Sequence, residues 1–119
     1  MTKATQAVGA YGERCASAAL AEAGLVVLDR NWRCRDGELD IVARDGDAIV
    51  FCEVKTRRSD AYGVPAEAVT PSKAKRIRRL AARWLAGSGL HPREVRFDVL
   101  AVSPQHSGPA QVEHLRGVF

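Results

Sequence analysis

At 119 residues, 46% of them hydrophobic, the chain is long enough to bury a core without disulfides or a structural metal and short enough to form one domain over residues 1–119. No run approaches the roughly 18 uninterrupted apolar residues of a membrane helix. Met1–Gln6 has no apolar run behind it, so no secretory leader is expected and the expected location is the cytoplasm. The net charge of +4 is unevenly held: nine basic residues against two acids between Lys55 and Arg83 concentrate +7 there, the footprint of a polyanion binder, and leave −3 elsewhere.

In chain order, Val8, Tyr11, Ala16, Ala19, Leu20 and Ala23 recur at helical spacing. They predict a helix over 5–23, capped by Thr5 and ended by Gly24. Leu25–Leu28 suits a short buried strand. Asp36-Gly37 and Asp45-Gly46 mark tight turns, so residues 38–44 and 48–56 complete a three-stranded meander with 38–44 at its centre. Residues 59–65 read as a loop. Thr70-Pro71 starts a second helix that runs to about Ala86, where Gly87-Ser88-Gly89 stops it. Val95–Val102 reads as a further buried strand and Val112–Leu115 as an edge strand, giving about five. The cysteines, Cys15, Cys34 and Cys52, are odd in number and form no Cys-x-x-Cys pair. Reduced, buried thiols are expected rather than a zinc site.

Strand alternation locates the chemistry. With a two-residue loop in the second hairpin, Glu38, Asp40, Glu53 and Lys55 share one face, and Leu39, Ile41, Ala43, Val50, Cys52 and Val54 share the other. Val42, Ile49 and Phe51 make the first face apolar near the turn, so both faces of the sheet are expected to be covered there. The charged residues gather at the opposite end. One reading of Asp40, Glu53 and Lys55 is a salt-bridge cluster on a solvated strand end. The other is a hard-cation site, with Asp40 and Glu53 offering oxygen ligands to Mg²⁺ or Mn²⁺ and Lys55 acting on a scissile phosphate. Glu38 is either a further ligand or simply solvated.

Gly37-Glu38-Leu39-Asp40 followed by Glu53-Val54-Lys55-Thr56-Arg57 resembles the Asp…Glu-x-Lys core of the PD-(D/E)XK nucleases. Joined to Asn31-Trp32-Arg33 and to Pro65-Ala66-Glu67-Ala68-Val69-Thr70, it is similar to the YraN-like family of small bacterial proteins. The resemblance runs from Gly12-Glu13 to His114-Leu115. It implies a restriction-endonuclease-like α/β fold, a mixed sheet flanked by helices on both faces, similar to archaeal Holliday-junction resolvases. It further implies metal ligation by Asp40, Glu53 and the Val54 carbonyl, a catalytic Lys55, and a first-helix glutamate at Glu13. Leu39 stands where the superfamily pattern has proline, a backbone preference and not a ligand. Glu13 equally suits an exposed helix position, and spacing alone does not bring it to the sheet.

In the second helix Lys73, Lys75, Arg76, Arg78, Arg79 and Arg83 lie around an apolar stripe of Ile77, Leu80, Ala81, Trp84 and Leu85. No acid lies between 72 and 86 to explain the charge by i, i+4 pairing. Phosphate contacts from Lys73, Lys75, Arg76, Arg79 and Arg83 are therefore expected, with Arg57 and Arg58 clamping a phosphate beside the site. Trp32 and Tyr62 suit base stacking or ordinary packing, and Asp98, among apolar neighbours, suits a structural ion pair. The functional classes left open are a Mg²⁺- or Mn²⁺-dependent endonuclease on DNA, branched or junction DNA included, a non-cutting nucleic-acid-binding module, and a purely structural protein. Junction cutting needs two sites, for which a homodimer is the commonest source.

Overall fold

The computed structural model describes residues 3–57 and 69–119. Arg58, Tyr62, the 59–65 loop and residues 65–68 of the motif ending at Thr70 fall outside them. Helix α1 is Lys3–Glu22, with Thr5 inside it and not at its cap. It ends in a Schellman turn. Gly24, at φ +89°, donates to the Ala21 carbonyl and Leu25 donates to the Leu20 carbonyl, while the Leu20 and Leu25 side chains join one apolar cluster.

Five strands follow in one sheet of order β1-β2-β3-β4-β5: β1 Val26–Cys34, β2 Gly37–Asp45, β3 Ala48–Thr56, β4 Glu94–Ser103 and β5 Gln111–Leu115. Helix α2, Pro71–Ser88, lies between β3 and β4 in the chain. Those two strands pair parallel, as a crossover through a helix allows, and the other neighbours pair antiparallel. The expected α/β fold with a mixed five-stranded sheet is thus observed. Among the described residues no helix is long and apolar enough to cross a membrane.

Turn chemistry sets the central register. The β2–β3 loop is Gly46-Asp47 with only Gly46 at positive φ (+59°), a type II′ arrangement that pairs Asp45 with Ala48 and Ile41 with Cys52. This is the two-residue loop expected. The first turn is shifted by one residue: Arg35-Asp36 make it, and Gly37 opens β2 opposite Cys34. Strand β1 also departs from expectation. It is nine residues long, bulged between Val27 and Asp29, and lies at the sheet edge, where Val26 and Leu28 stay exposed.

Both faces of the sheet are covered. Against α1 lie Ile41, Ala43, Val50, Cys52, Leu100 and Val102 with Ala16 and Leu20; against α2 lie Leu39, Val42, Ile49, Phe51 and Phe97 with Ile77, Leu80 and Ala81. The predicted α2 stripe is therefore its buried face. Thr70 caps the helix by accepting from the Lys73 amide, and Gly89 at φ +73° ends it. Trp32 packs partly buried into the α2-side cluster. Of the three free cysteines only Cys52 is buried, and burial pushes its thiol pKa up; Cys15 and Cys34 are half-buried, so the expectation of buried thiols holds for one.

At Gly12 α1 packs tightly on the Thr56 side chain at the end of β3. A Cβ there would overlap the Thr56 hydroxyl, so only glycine lets the helix lie at this distance. Gly12→Ala adds helix propensity but forces that overlap. A net loss on the order of 1 kcal/mol is expected, measured by urea unfolding and partly restored by Thr56→Ala. Unchanged stability of the single variant would show that the approach is not tight.

Candidate metal and nucleic-acid site

The site forms where β2 and β3 part. Their ladder runs from Asp45–Ala48 to Ile41–Cys52 and stops, while β3 stays paired with β4 as far as Thr56–Val102. Asp40 is the next residue of β2, and its carboxylate takes over the role of a strand neighbour, accepting the Val54 N–H at 2.9 Å. On its other side β1 and β2 hold one register through Arg30–Ile41 and Trp32–Leu39, with Asn31 and Asp40 between them outside the ladder. Asn31 has φ +51°, the one described non-glycine residue in that region.

This irregularity corrects the alternation argument. Leu39 does not share a face with Ile41; it joins Val42 in the α2-side cluster, so alternation is broken at Asp40. With Asn31 in the left-handed region across from it, Asp40 lies in the fork, its carboxylate on the Val54 N–H. The carboxylates of Glu13, Glu38 and Asp40 consequently offer oxygens that all lie within 4.8 Å of one another. Glu13 comes from α1, one residue after the Gly12 approach. Glu38, which sequence reasoning left open, also receives Arg33 at 2.6 Å.

Glu53 is not in that trio. Its Oε1 is held by Lys73 Nζ at 2.5 Å and lies 3.8 Å from Lys55 Nζ. Asp40 thus reaches toward an acid of α1, and Glu53 toward a base of α2. The charge balance leaves its mark on Asp40, Glu13, Lys55 and Lys73. Burial, then the Glu53 charge, pushes Asp40 up to about 7 despite the Val54 hydrogen bond. Burial also raises Glu13, opposed by the Asn31 carboxamide. Lys55 is lowered by burial and by the neighbouring Lys73 ammonium. For Lys73 burial pulls downward, but the hydrogen bond to Glu53 together with the neighbouring Lys55 contact and the Glu53 and Asp40 charges outweighs it and the pKa is raised.

An all-carboxylate oxygen set short of countercharge suits a hard divalent cation. The Val54 N–H is committed to Asp40. Arg57 closes β3, its N–H bonded to the Val102 carbonyl, with a half-buried and engaged side chain. Lys75, Arg76 and Arg79 are exposed on α2. Arg83 instead pairs with Asp36 at 2.6 Å, so with Lys73 it makes two of the α2 charges tertiary ion pairs. Spacing at i, i+4 does not reveal these pairs, because Glu53 and Asp36 lie far away in the chain.

Away from this site Asp98 is fully buried and accepts from Arg96 Nε and a terminal Arg96 nitrogen (3.0 and 3.1 Å) and from the Gly117 N–H (2.9 Å), with His114 Nε2 at 2.6 Å. It is the structural ion pair expected.

The profile of uncharacterised protein family UPF0102 matches residues 12–102. A UPF0102 protein of Beutenbergia cavernae is 62% identical over 116 residues, covering 98% of each chain. One of Kineococcus radiotolerans is 59% identical over 117 residues, covering 98% of this chain and 96% of its own. Among solved structures the chain is similar to Pyrococcus furiosus SfsA in complex with Ca²⁺, at a TM-score of 0.38 and 16% identity, over 95% of this chain and 64% of that one.

Proposed function

We propose that this chain, which belongs to the UPF0102 family, is a divalent-metal-dependent endonuclease that hydrolyses phosphodiester bonds in DNA, with branched or junction DNA among its substrates. The observation that carries this reading is the convergence of Glu13, Glu38 and Asp40 at the β2–β3 fork beside Glu53, Lys55 and Lys73. The Asp40…Glu53-Val54-Lys55 pattern, with its resemblance to PD-(D/E)XK nucleases, supports it.

Asp40 and Glu13, with Glu53 and the Val54 carbonyl, would hold Mg²⁺ or Mn²⁺, and Glu38 stands close enough to join them. Such an ion lowers the pKa of a bound water and offsets charge on phosphoryl oxygens. Lys55 presents an ammonium at the same place, able to donate to a non-bridging phosphate oxygen or to orient the attacking water. Lys75, Arg76 and Arg79, exposed on α2, would contact the DNA backbone and position it without reading its sequence. Arg57, Arg58 and Arg83 are the further phosphate contacts proposed, Arg83 only after releasing Asp36. A symmetric homodimer would supply the two cuts that a junction requires.

The test is cleavage of labelled four-way-junction, flap, single-stranded and duplex DNA with Mg²⁺ or Mn²⁺. Glu53→Gln and Lys55→Ala are each expected to lower the rate on the order of 100-fold. Cutting that survives both substitutions would come from a contaminant, and the proposal would fail.

One observation favours a second reading, a non-cutting binding module: the Lys73–Glu53 ion pair already neutralises one proposed ligand. Under that reading DNA binding is salt-dependent but indifferent to metal, and Mg²⁺ leaves the melting temperature unmoved.

A further inference from the structure

The position of Lys73 has more consequence than that of a backbone contact on a basic helix. Thr70 caps α2 and accepts the Lys73 amide at 3.2 Å, so the residue sits on the first turn with its backbone tied down. Its side chain does not point to solvent with those of Lys75, Arg76 and Arg79. It is three-quarters buried and its ammonium lies 2.5 Å from Glu53 Oε1, while the Lys55 ammonium is 3.8 Å from the same oxygen. One carboxylate thus holds two ammonium groups, one from its own strand and one from the helix across it. The Glu13, Glu38 and Asp40 carboxylates nearby have no such lysine bound to them among the described residues.

We infer that Lys73 is a positioning residue that tethers Glu53 in the metal-free protein and competes with the divalent cation for it. Metal loading and the release of α2's first turn are then coupled. The inference rests on the metal-dependent reading above and deepens it. A cation that recruits Glu53 to the Asp40 group must break or share the Lys73 contact. Lys73 therefore sets how much free metal the site needs, and its freed ammonium becomes available to a phosphate.

The test is a titration of the full chain with Mg²⁺ and with Mn²⁺, followed by melting temperature and by isothermal calorimetry. The proteins compared are wild type, Lys73→Met, Lys73→Arg and Arg78→Met. Removing a unit charge a few ångströms from a divalent ion changes its affinity roughly tenfold even with water-like screening. Lys73→Met is therefore expected to reach half-saturation at about one-tenth of the wild-type metal concentration, yet to cleave with a lower kcat because the ammonium that metal frees for the phosphate is gone. Lys73→Arg should stay near wild type. Arg78→Met, which removes the same charge from an α2 residue packed on Phe97, should shift the midpoint far less. An unchanged or weaker metal midpoint in Lys73→Met overturns the inference, as does a higher KM with unchanged kcat, the mark of a plain DNA contact. If wild type itself shows no metal response, the metal-dependent reading fails and takes this inference with it. A wild-type response that Lys73→Met reproduces leaves that reading intact and removes the inference alone.

Discussion

Asp40→Asn is expected to melt at a higher temperature than wild type at pH 8 without metal, and to lose the Mg²⁺-dependent rise that the proposed function requires of wild type. Asp40 is largely buried, faces the Glu53, Glu13 and Glu38 charges, and has its pKa raised from 3.8 to about 7. Below about pH 4 the group is protonated in both the folded and unfolded chain and contributes no difference. Between about 4 and 7 the folded protein keeps a proton that the unfolded chain has released, so stability falls as pH rises. Above 7 the penalty is fully present. Its upper bound is about 4 kcal/mol, reduced because the neighbouring acids titrate together. Asparagine removes the charge while its carbonyl oxygen can still accept the Val54 N–H. A gain of about 5 °C or more is expected at pH 8, shrinking toward zero at pH 4. Under the proposed function metal would relieve the same repulsion in wild type, so saturating Mg²⁺ should close the gap between the two proteins. Melts at pH 4 and 8, with and without Mg²⁺, decide the matter. A destabilised variant at pH 8 would mean that Asp40 holds the fold together and is not a strained functional group.

Asp98→Ala should do the opposite and unfold the protein at far lower denaturant, at a cost of about 3–5 kcal/mol. This carboxylate is fully buried and joins three parts of the chain: Arg96 on its own strand, His114 on β5, and the Gly117 N–H beyond β5. Arg96 also holds Asp45 at 3.0 Å, which links the network to the end of β2. Burial alone would raise the Asp98 pKa, but hydrogen bonds from Arg96, Gly117 and His114 outweigh it and the carboxyl is held below its ordinary value. Its contribution is complete above about pH 4 and is lost as pH falls through the lower folded-state value, so it favours acid unfolding. Truncation strands the Arg96 charge and detaches β5 and the chain beyond it. Urea unfolding at pH 7 is the measurement, and a loss below 1 kcal/mol would show that water replaces the carboxylate at little cost.

The two aspartates look alike in sequence: Leu39-Asp40-Ile41 and Phe97-Asp98-Val99 each set an acid between apolar strand residues. What separates them is what lies across space. Asp98 meets an arginine, a histidine and an amide; Asp40 meets three carboxylates and one amide. Its cations sit one residue further away, on Glu53.

What the chain determines by itself is what acts over a few residues. Gly24 ends α1, Gly46 sets a two-residue turn and with it the β2–β3 register, Thr70-Pro71 starts α2, and apolar periodicity marks its buried face. These features depend on backbone sterics and local hydrogen bonds, which a residue and its near neighbours decide. The tertiary structure alone decided the rest. Glu13 reaches Asp40 because Gly12 lets α1 approach β3; Glu38 completes an acid group; Leu39 changes face where β2 parts from β3; and Lys73 crosses from α2 to Glu53. Each depends on distances between segments far apart in the chain. A carboxylate's charge, burial and partners are set by that packing, and no local pattern of residues encodes it.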